Sequence, residues 1–299
     1  MKEKEEKKYK RRFGDRRDAR RVKAPGLQSI MGFLFPKRTD CEVCLHDEID
    51  ATEVMKYIEK KNLEHPTYKT TVFHCAVVAM ARMCRERPMM NRFIQGWRIY
   101  ERNTITISFV AKRRFKDGAG ESLMVVEPKD DDTLDTISHR IYGDINEMRK
   151  SEHSTGGIDK TLDNFMKIPF PLLALVIRLI RILDFWGKNP RFLTDGDPNY
   201  TTILTANLGS IGAPAVYHHL NNYGTNSIMV TIGALHDKEV RMPDGSTQTR
   251  KMIDIAATID ERIADGFYFI RSLNLIKHIF ANPELLDRPL SEPSGYEYE

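Results

Sequence analysis

Cysteine is scarce in this chain. Its 299 residues hold four, too few and too dispersed for a disulfide framework. Cys41 and Cys44 form a single C-x-x-C with His46 two residues on, and Cys75 and Cys84 stand apart. A structural zinc site takes four ligands, usually from two such pairs, so no metal site is expected, and "CEVCLHDEI" reads as a strand with buried small thiols. No apolar segment opens the chain, which excludes a secretory signal. With so few cysteines, this points to the cytoplasm. No repeat period and no Gly/Ser linker divide the sequence, so neither a repeat array nor a linker-joined pair of domains is expected.

Charge of one sign is concentrated in one place. The net charge is +4, and residues 1–23 hold most of the excess, with Tyr9 and Phe13 the only large side chains beyond Met1 that could be buried before Val22. Such a segment cannot offset its ordering entropy by burial. Residues 1–25 are therefore expected to be a flexible, solubilising basic arm with no specific nucleic-acid partner, and residues 26–299 one domain.

What is present alternates between two periods. Residues 41–49 suggest a strand. "DATEVMKYIEKKNL" suggests a helix opened by an Asp50–Glu53 capping box. A second helix is predicted over 68–86, stopped by Pro88, and a third over 133–150, with apolar residues at three- and four-residue steps. Ile105, Ile107 and Phe109 alternate with polar neighbours, as in a half-buried strand. "ESLMVVEP", "YTTILTANLG" and "NSIMVTIGAL" add strands, and Asp244-Gly245 marks a hairpin tip. A last helix is predicted over 267–280, and His218 and His219 fall on a predicted short helix after Gly212. The pattern implies an α/β fold, a two-layer sandwich of helices on one face of a mixed, mostly antiparallel sheet.

Residues 151–199 differ from their surroundings. A mostly apolar run opens at Phe170 and closes at Trp186, with Arg178, Arg181 and Asp184 as its only charges. Their spacing draws one narrow polar stripe on a helix. The run is short of the roughly 20 apolar residues of a spanning helix. It reads either as a helix packed on this domain or a sister subunit, or as an interfacial membrane helix flanked by Lys167, Lys188 and Arg191.

The stretch "TIDERIADGFYF" concentrates chemistry. A predicted strand delivers Asp260, Glu261 and Arg262 to a sheet edge. Asp265 stands at the start of the last helix, where a carboxylate suits the free amides, and Gly266 would permit a close approach. Arg262 is placed to pair with a carboxylate in the loop. Glu261 has no evident structural duty.

D-x-R-x-x-D-G after the last long strand resembles the signature of the dihydrolipoyl acyltransferase catalytic domain of 2-oxoacid dehydrogenase complexes, a family grouped with chloramphenicol acetyltransferase. "ILTANLGSIGAP" resembles that family's T-I-S-N-L-G-x-x-G turn, "AVVAMARMCRERPMMNRFIQG" its helix ending in P-x-L-N, and "DEIDAT" its early strand-to-helix entry. The four segments keep the family order over residues 40–285, and the apolar insertion at 151–199 fits it least. The resemblance implies a chloramphenicol acetyltransferase-like sandwich, homotrimers or higher trimer-based oligomers with a site between neighbours, and coenzyme A or acyl-CoA as substrate. The chain before residue 26 is too short and too charged for a lipoyl domain, so the second substrate would come from a separate acyl-carrier or lipoyl protein.

The resemblance also implies a catalytic histidine and an oxyanion-stabilising serine or threonine. Here those positions hold Glu261 and Ala206, while Asp260, Arg262, Asp265, Gly266, Asn207, Gly209 and Gly212 fit. Asp265 would be structural and paired with an arginine, for which several candidates lie between Arg16 and Arg38, and Ala206, Asn207 and Gly209 would line the substrate site. Three readings stay open: an acyltransferase with Glu261 as an altered base, a non-catalytic acyl-CoA-binding or assembly module, and a membrane-peripheral scaffold.

Overall fold

The computed structural model describes residues 16–24, 26–64, 68–112, 121–150 and 167–298. Its strands are β1 (Ala19–Arg21), β2 (Glu42–Asp50), β3 (Arg92–Gln95), β4 (Arg98–Arg102), β5 (Ile107–Lys112), β6 (Glu121–Val126), β7 (Ile203–Asn207), β8 (Ile228–Arg241) and β9 (Thr247–Asp260). The longer helices are α1 (Thr52–Glu64), α2 (Val72–Glu86), α3 (Leu134–Lys150), α4 (Phe170–Phe185) and α5 (Gly266–Ala281).

The main sheet runs β2-β9-β8-β7-β5-β6, and a small antiparallel sheet runs β1-β4-β3. In the main sheet β7 lies parallel to both β5 and β8, and the other pairings are antiparallel. One apolar core joins Val54 of α1, Met80 of α2, Ile141 of α3 and Ile279 of α5 to Ile49, Ile107, Ile203, Val230 and Ile253 of the sheet. The alternating strand pattern thus buries one face under four helices. Asp47 on that side meets Lys277 of α5 at 2.5 Å, while Cys44 and His46 are exposed on the other. This is the two-layer mixed sandwich that the periodicity predicts, although Cys44 is not the buried thiol expected.

Several boundaries differ from the sequence reading for identifiable reasons. The arm expected over 1–25 gives way to structure sooner. Ala19 is buried against Phe93 and Tyr100, β1 pairs with β4, and Arg20 meets Glu101 at 2.6 Å. Residues 1–15 of that arm, and 151–166 of the insertion, lie outside the described residues.

Helix α2 starts at Val72 because Asn62 clamps Thr70 through both backbone groups, at 2.8 and 2.9 Å. The capping box there uses Thr71 and His74. At α1 only half of the predicted box forms: Asp50 accepts from the Thr52 amide at 2.9 Å, while Glu53 pairs with Lys56.

His218 and His219 are exposed in an irregular strap rather than on a helix. Side chains of the sheet hold that strap extended. The Val216 amide bonds to Thr231 Oγ1 at 3.1 Å, and the Leu220 amide to Glu42 at 2.6 Å.

Candidate functional site

Strand β9 ends on Asp260, whose side chain is wholly buried. A buried carboxylate requires a partner, and Arg262 supplies a two-pronged one, Nε to Oδ1 and Nη2 to Oδ2, both at 2.7 Å. Its Nη1 donates to the Phe35 carbonyl at 2.8 Å. Arg38, 4 % exposed, brings its Nε to 3.5 Å from the same carboxylate and donates to the carbonyls of Asn221 and Gly224. Burial pulls the pKa of Arg38 down, and Asp260 opposes that. Burial also disfavours the charge on Arg262, but the bonds to Asp260 override it and hold its pKa above the ordinary value.

Glu261, between this pair in sequence, is exposed. Its amide is pinned to the Cys41 carbonyl at 2.9 Å. Among the described residues its carboxylate has no hydrogen-bond or ion-pair partner.

Asp265 caps α5, accepting from the Tyr268 amide at 2.8 Å. The arginine pairing that the resemblance implies for Asp265 falls on Asp260 within one protomer, because Asp260 is the buried acid of the loop. Gly266 is the first residue of α5, and a Cβ there would meet nothing within 4 Å. The close approach expected at that glycine does not occur.

The loop is wired to the insertion. Asp184 stands near the C-terminal end of α4 and is 6 % exposed, so it is no part of a solvated stripe with Arg178 and Arg181. The Tyr200 hydroxyl donates to its Oδ1 at 2.6 Å, the Gly224 amide to its Oδ2 at 3.0 Å, and Gln95 Nε2 to its backbone carbonyl at 2.6 Å. Gly224 has φ +81°, and a Cβ there would lie 2.4 Å from the Asn199 carbonyl oxygen, so this contact requires glycine. Burial and the Asp184 carboxylate push the Tyr200 hydroxyl pKa up. Arg38, Gly224 and Asp184, linked through Arg38 to Asp260, line a cavity of ≈ 200 Å³ that Trp97, Arg181 and Arg262 also line. Arg38 is one of several candidate arginines between Arg16 and Arg38 in the sequence, whereas Asp184 and Tyr200 are not singled out there as site residues. The one available signal was Asp184 as a lone acid in a basic, apolar run.

Ala206 lies elsewhere. It pairs with Thr231, Thr231 with Ala256, and Ala256 with His46, one row across four strands on the face away from the helices. Thr205 faces the opposite way, is buried, and donates to the Ser108 carbonyl at 3.1 Å. The β7 register is continuous, so Thr205 does not share the open face with Ala206.

After Asn207 the chain turns through Leu208–Ile211. Gly209 is required there, since a Cβ would lie 2.4 Å from the Gly233 carbonyl oxygen. From Ala256 to Glu261 the chain advances roughly 16 Å along the strand, and β7 is two strand spacings from β9, roughly 10 Å. One protomer therefore holds Ala206 and Glu261 roughly 19 Å apart. It brings Asp260, Arg262 and Arg38 together, but not Ala206 and Glu261.

Among the described residues, one group has metal-ligand geometry: Glu48, His236 and Asp254, with ligand atoms within 4.8 Å. Lys238 already holds Glu48, which offsets that carboxylate's charge without an ion, and His236 Nε2 lies 3.7 Å from Glu48.

The catalytic-domain model of the 2-oxoacid dehydrogenase acyltransferases matches residues 192–287, which include Ala206 and Glu261. A probable dihydrolipoamide acetyltransferase from Listeria monocytogenes 4b F2365 shares the fold with a TM-score of 0.57 at 17 % identity, over 93 % of this chain and 99 % of its own. The cubic core of the pyruvate dehydrogenase multienzyme complex gives 0.58 at 14 %, over 89 % and 93 %. Chloramphenicol acetyltransferase gives 0.53 at 13 %, over 88 % and 98 %. A comparison with curated protein sequences returns no match. The chain thus has the chloramphenicol acetyltransferase-like sandwich of these acyltransferase cores, as its motifs suggest.

Proposed function

We propose that this protein uses an acyltransferase fold to bind acyl-CoA, or the acyl-bearing thiol of a carrier protein, and that standard thiol acyl transfer is impaired in it. The observation that carries this reading is the double replacement at Glu261 and Ala206 in an otherwise retained frame of Asp260, Arg262, Asn207 and Gly209. A thiol titrates near 8.5 and an ordinary glutamate near 4.3, so a glutamate is too weak a base by about four pKa units. Burial can raise a catalytic carboxylate to roughly 6–7, but Glu261 is exposed in a single protomer. Loss of one oxyanion donor typically costs about 100- to 1000-fold in rate, and Thr205 is committed to Ser108.

The separation of the two positions within one protomer favours a trimer-based assembly whose site is shared between copies. The turn at Gly209 and the pinned backbone at Glu261 would then line that site from two sides. The lipoyl or other carrier thiol would be supplied by a separate protein.

The test combines calorimetry with acetyl-CoA and transfer of acetyl from acetyl-CoA to dihydrolipoamide, with Glu261→Gln beside the wild type. Binding is expected, with equal, marginal transfer by both proteins. Robust transfer that Glu261→Gln abolishes would assign Glu261 as the base and reject impairment. Absence of both binding and transfer would remove the acyl-CoA reading.

A further inference from the structure

We propose that α4, with the aromatic turn beside it, is a docking surface for an anionic lipid bilayer, the helix lying in the plane of the interface. Most of α4 is exposed, including Phe170 at 78 % and Leu175 at 53 %, and Asp184 is its one buried residue. At 3.6 residues per turn, Leu172, Leu175, Leu179, Ile182, Leu183 and Trp186 fall in one arc of about 100°. Arg181 lies opposite that arc and Arg178 at its edge. An exposed apolar face backed by arginines is the geometry of an interfacial helix.

The apolar surface continues beyond the helix. Trp97, in the turn between β3 and β4, stacks on Phe33 at 5.5 Å and meets Phe185 and Trp186 edge-on at 4.8 and 6.0 Å. Its φ of +62° is a left-handed backbone that a bulky residue rarely adopts, and the ring is 41 % exposed. The hairpin thus holds an indole at the surface against the local backbone preference. Leu27, Ile30 and Leu34, in the segment that carries Phe33, are exposed as well. Contiguous apolar surface of this kind marks an interaction site.

Charge selects the occupant. Residues 167–191 carry Lys167, Arg178, Arg181, Lys188 and Arg191 against one acid, Asp184, which is turned inward. Among the described residues, Arg178, Arg181, Lys188 and Arg191 have no carboxylate partner. A second copy laid face to face on this surface would oppose like charges. A bilayer offers hydrocarbon to the leucines, headgroup anions to Arg178 at the edge of the arc and an interfacial layer to the two indoles. No described helix is long and apolar enough to cross a membrane, so the contact is peripheral.

The chain has two tryptophans, Trp97 and Trp186, and both lie on this surface, so intrinsic fluorescence reads it without a label. The full chain is titrated with vesicles of phosphatidylglycerol and phosphatidylcholine in equal parts. A blue shift and co-sedimentation are expected, weaker by about tenfold or more with phosphatidylcholine alone or in high salt. Leu175→Glu with Leu179→Glu is expected to lose both signals while keeping the wild-type circular dichroism. If that variant does not fold, Arg178→Glu with Arg181→Glu, at exposed positions, is expected to lose the preference for anionic vesicles. No shift and no sedimentation of the wild type would overturn the proposal. So would undiminished binding by folded variants, or a change of oligomer mass with vesicle binding intact, which would assign the face to copies of the chain.

Discussion

Arg262 holds Asp260 through two hydrogen bonds of 2.7 Å, and Glu261, between them in sequence, is exposed. The loop therefore separates its two duties. The outer pair fixes the strand end, and the middle residue is free to face a ligand or a neighbour.

That separation predicts opposite outcomes for adjacent substitutions. Arg262→Ala leaves a buried carboxylate short of its main partner and is expected to cost about 3–5 kcal/mol. Glu261→Gln is expected to stay within about 0.5 kcal/mol of wild type. Denaturant midpoints on the two variants check this, and similar losses in both would contradict it.

Asp184 anchors α4 by accepting from Tyr200 and the Gly224 amide. Asp184→Ala leaves these donors unpaired, at about 1–3 kcal/mol. Amide exchange at Gly224 is expected to speed up in that variant. Unchanged protection at Gly224 would show that the anchor carries no stability.

A pH dependence follows from His74. It is buried in α2, its Nδ1 accepts from the Thr71 amide at 3.0 Å, and burial pushes its pKa down from 6.5 to about 4. Between those values the unfolded chain binds the proton and the folded chain does not. Stability is therefore lost as pH falls from about 6.5 toward 4, by up to about 3 kcal/mol, and is unaffected by this group above that window. Urea unfolding at pH 7 and pH 4.5 measures the loss, and His74→Gln should reduce it. An equal loss in the variant would assign it to other groups.

Much of the fold was legible because its signals are local. Alternation at Ile105, Ile107 and Phe109 marks a strand, and three- and four-residue steps mark α3. The candidate site was legible only where it is also a turn, around Asn207–Gly209 and Asp260–Asp265. Arg38 reaches Asp260 from a distant segment, and nothing near either residue in sequence displays that pairing. Asp184 looked like part of a polar stripe because periodicity places a residue on a helix face but does not say that only the helix end is docked. His218 and His219 follow a glycine turn that suits a helix, yet Thr231 and Glu42 hold that segment as a strap.

Thiol chemistry offers an independent check of the packing. Burial pushes Cys41 up to about 11 and Cys84 up to about 12, and raises Cys75 further, whereas Cys44 is exposed on the open sheet face. A native thiol titration at pH 8 is expected to label Cys44 alone, with the other three reacting after unfolding. Rapid labelling of Cys41 would mean that the segment beside Glu261 opens readily.

The proposal that Glu261 and Ala206 stand where an acyltransferase would carry its reacting groups is tested by restoring a histidine and a serine there. Acetyl transfer from acetyl-CoA to dihydrolipoamide is measured for the wild type and for Glu261→His combined with Ala206→Ser. Marginal transfer by the wild type and a gain of at least about 100-fold in the double variant are expected. Full transfer by the wild type, or no gain in a folded double variant, would contradict it.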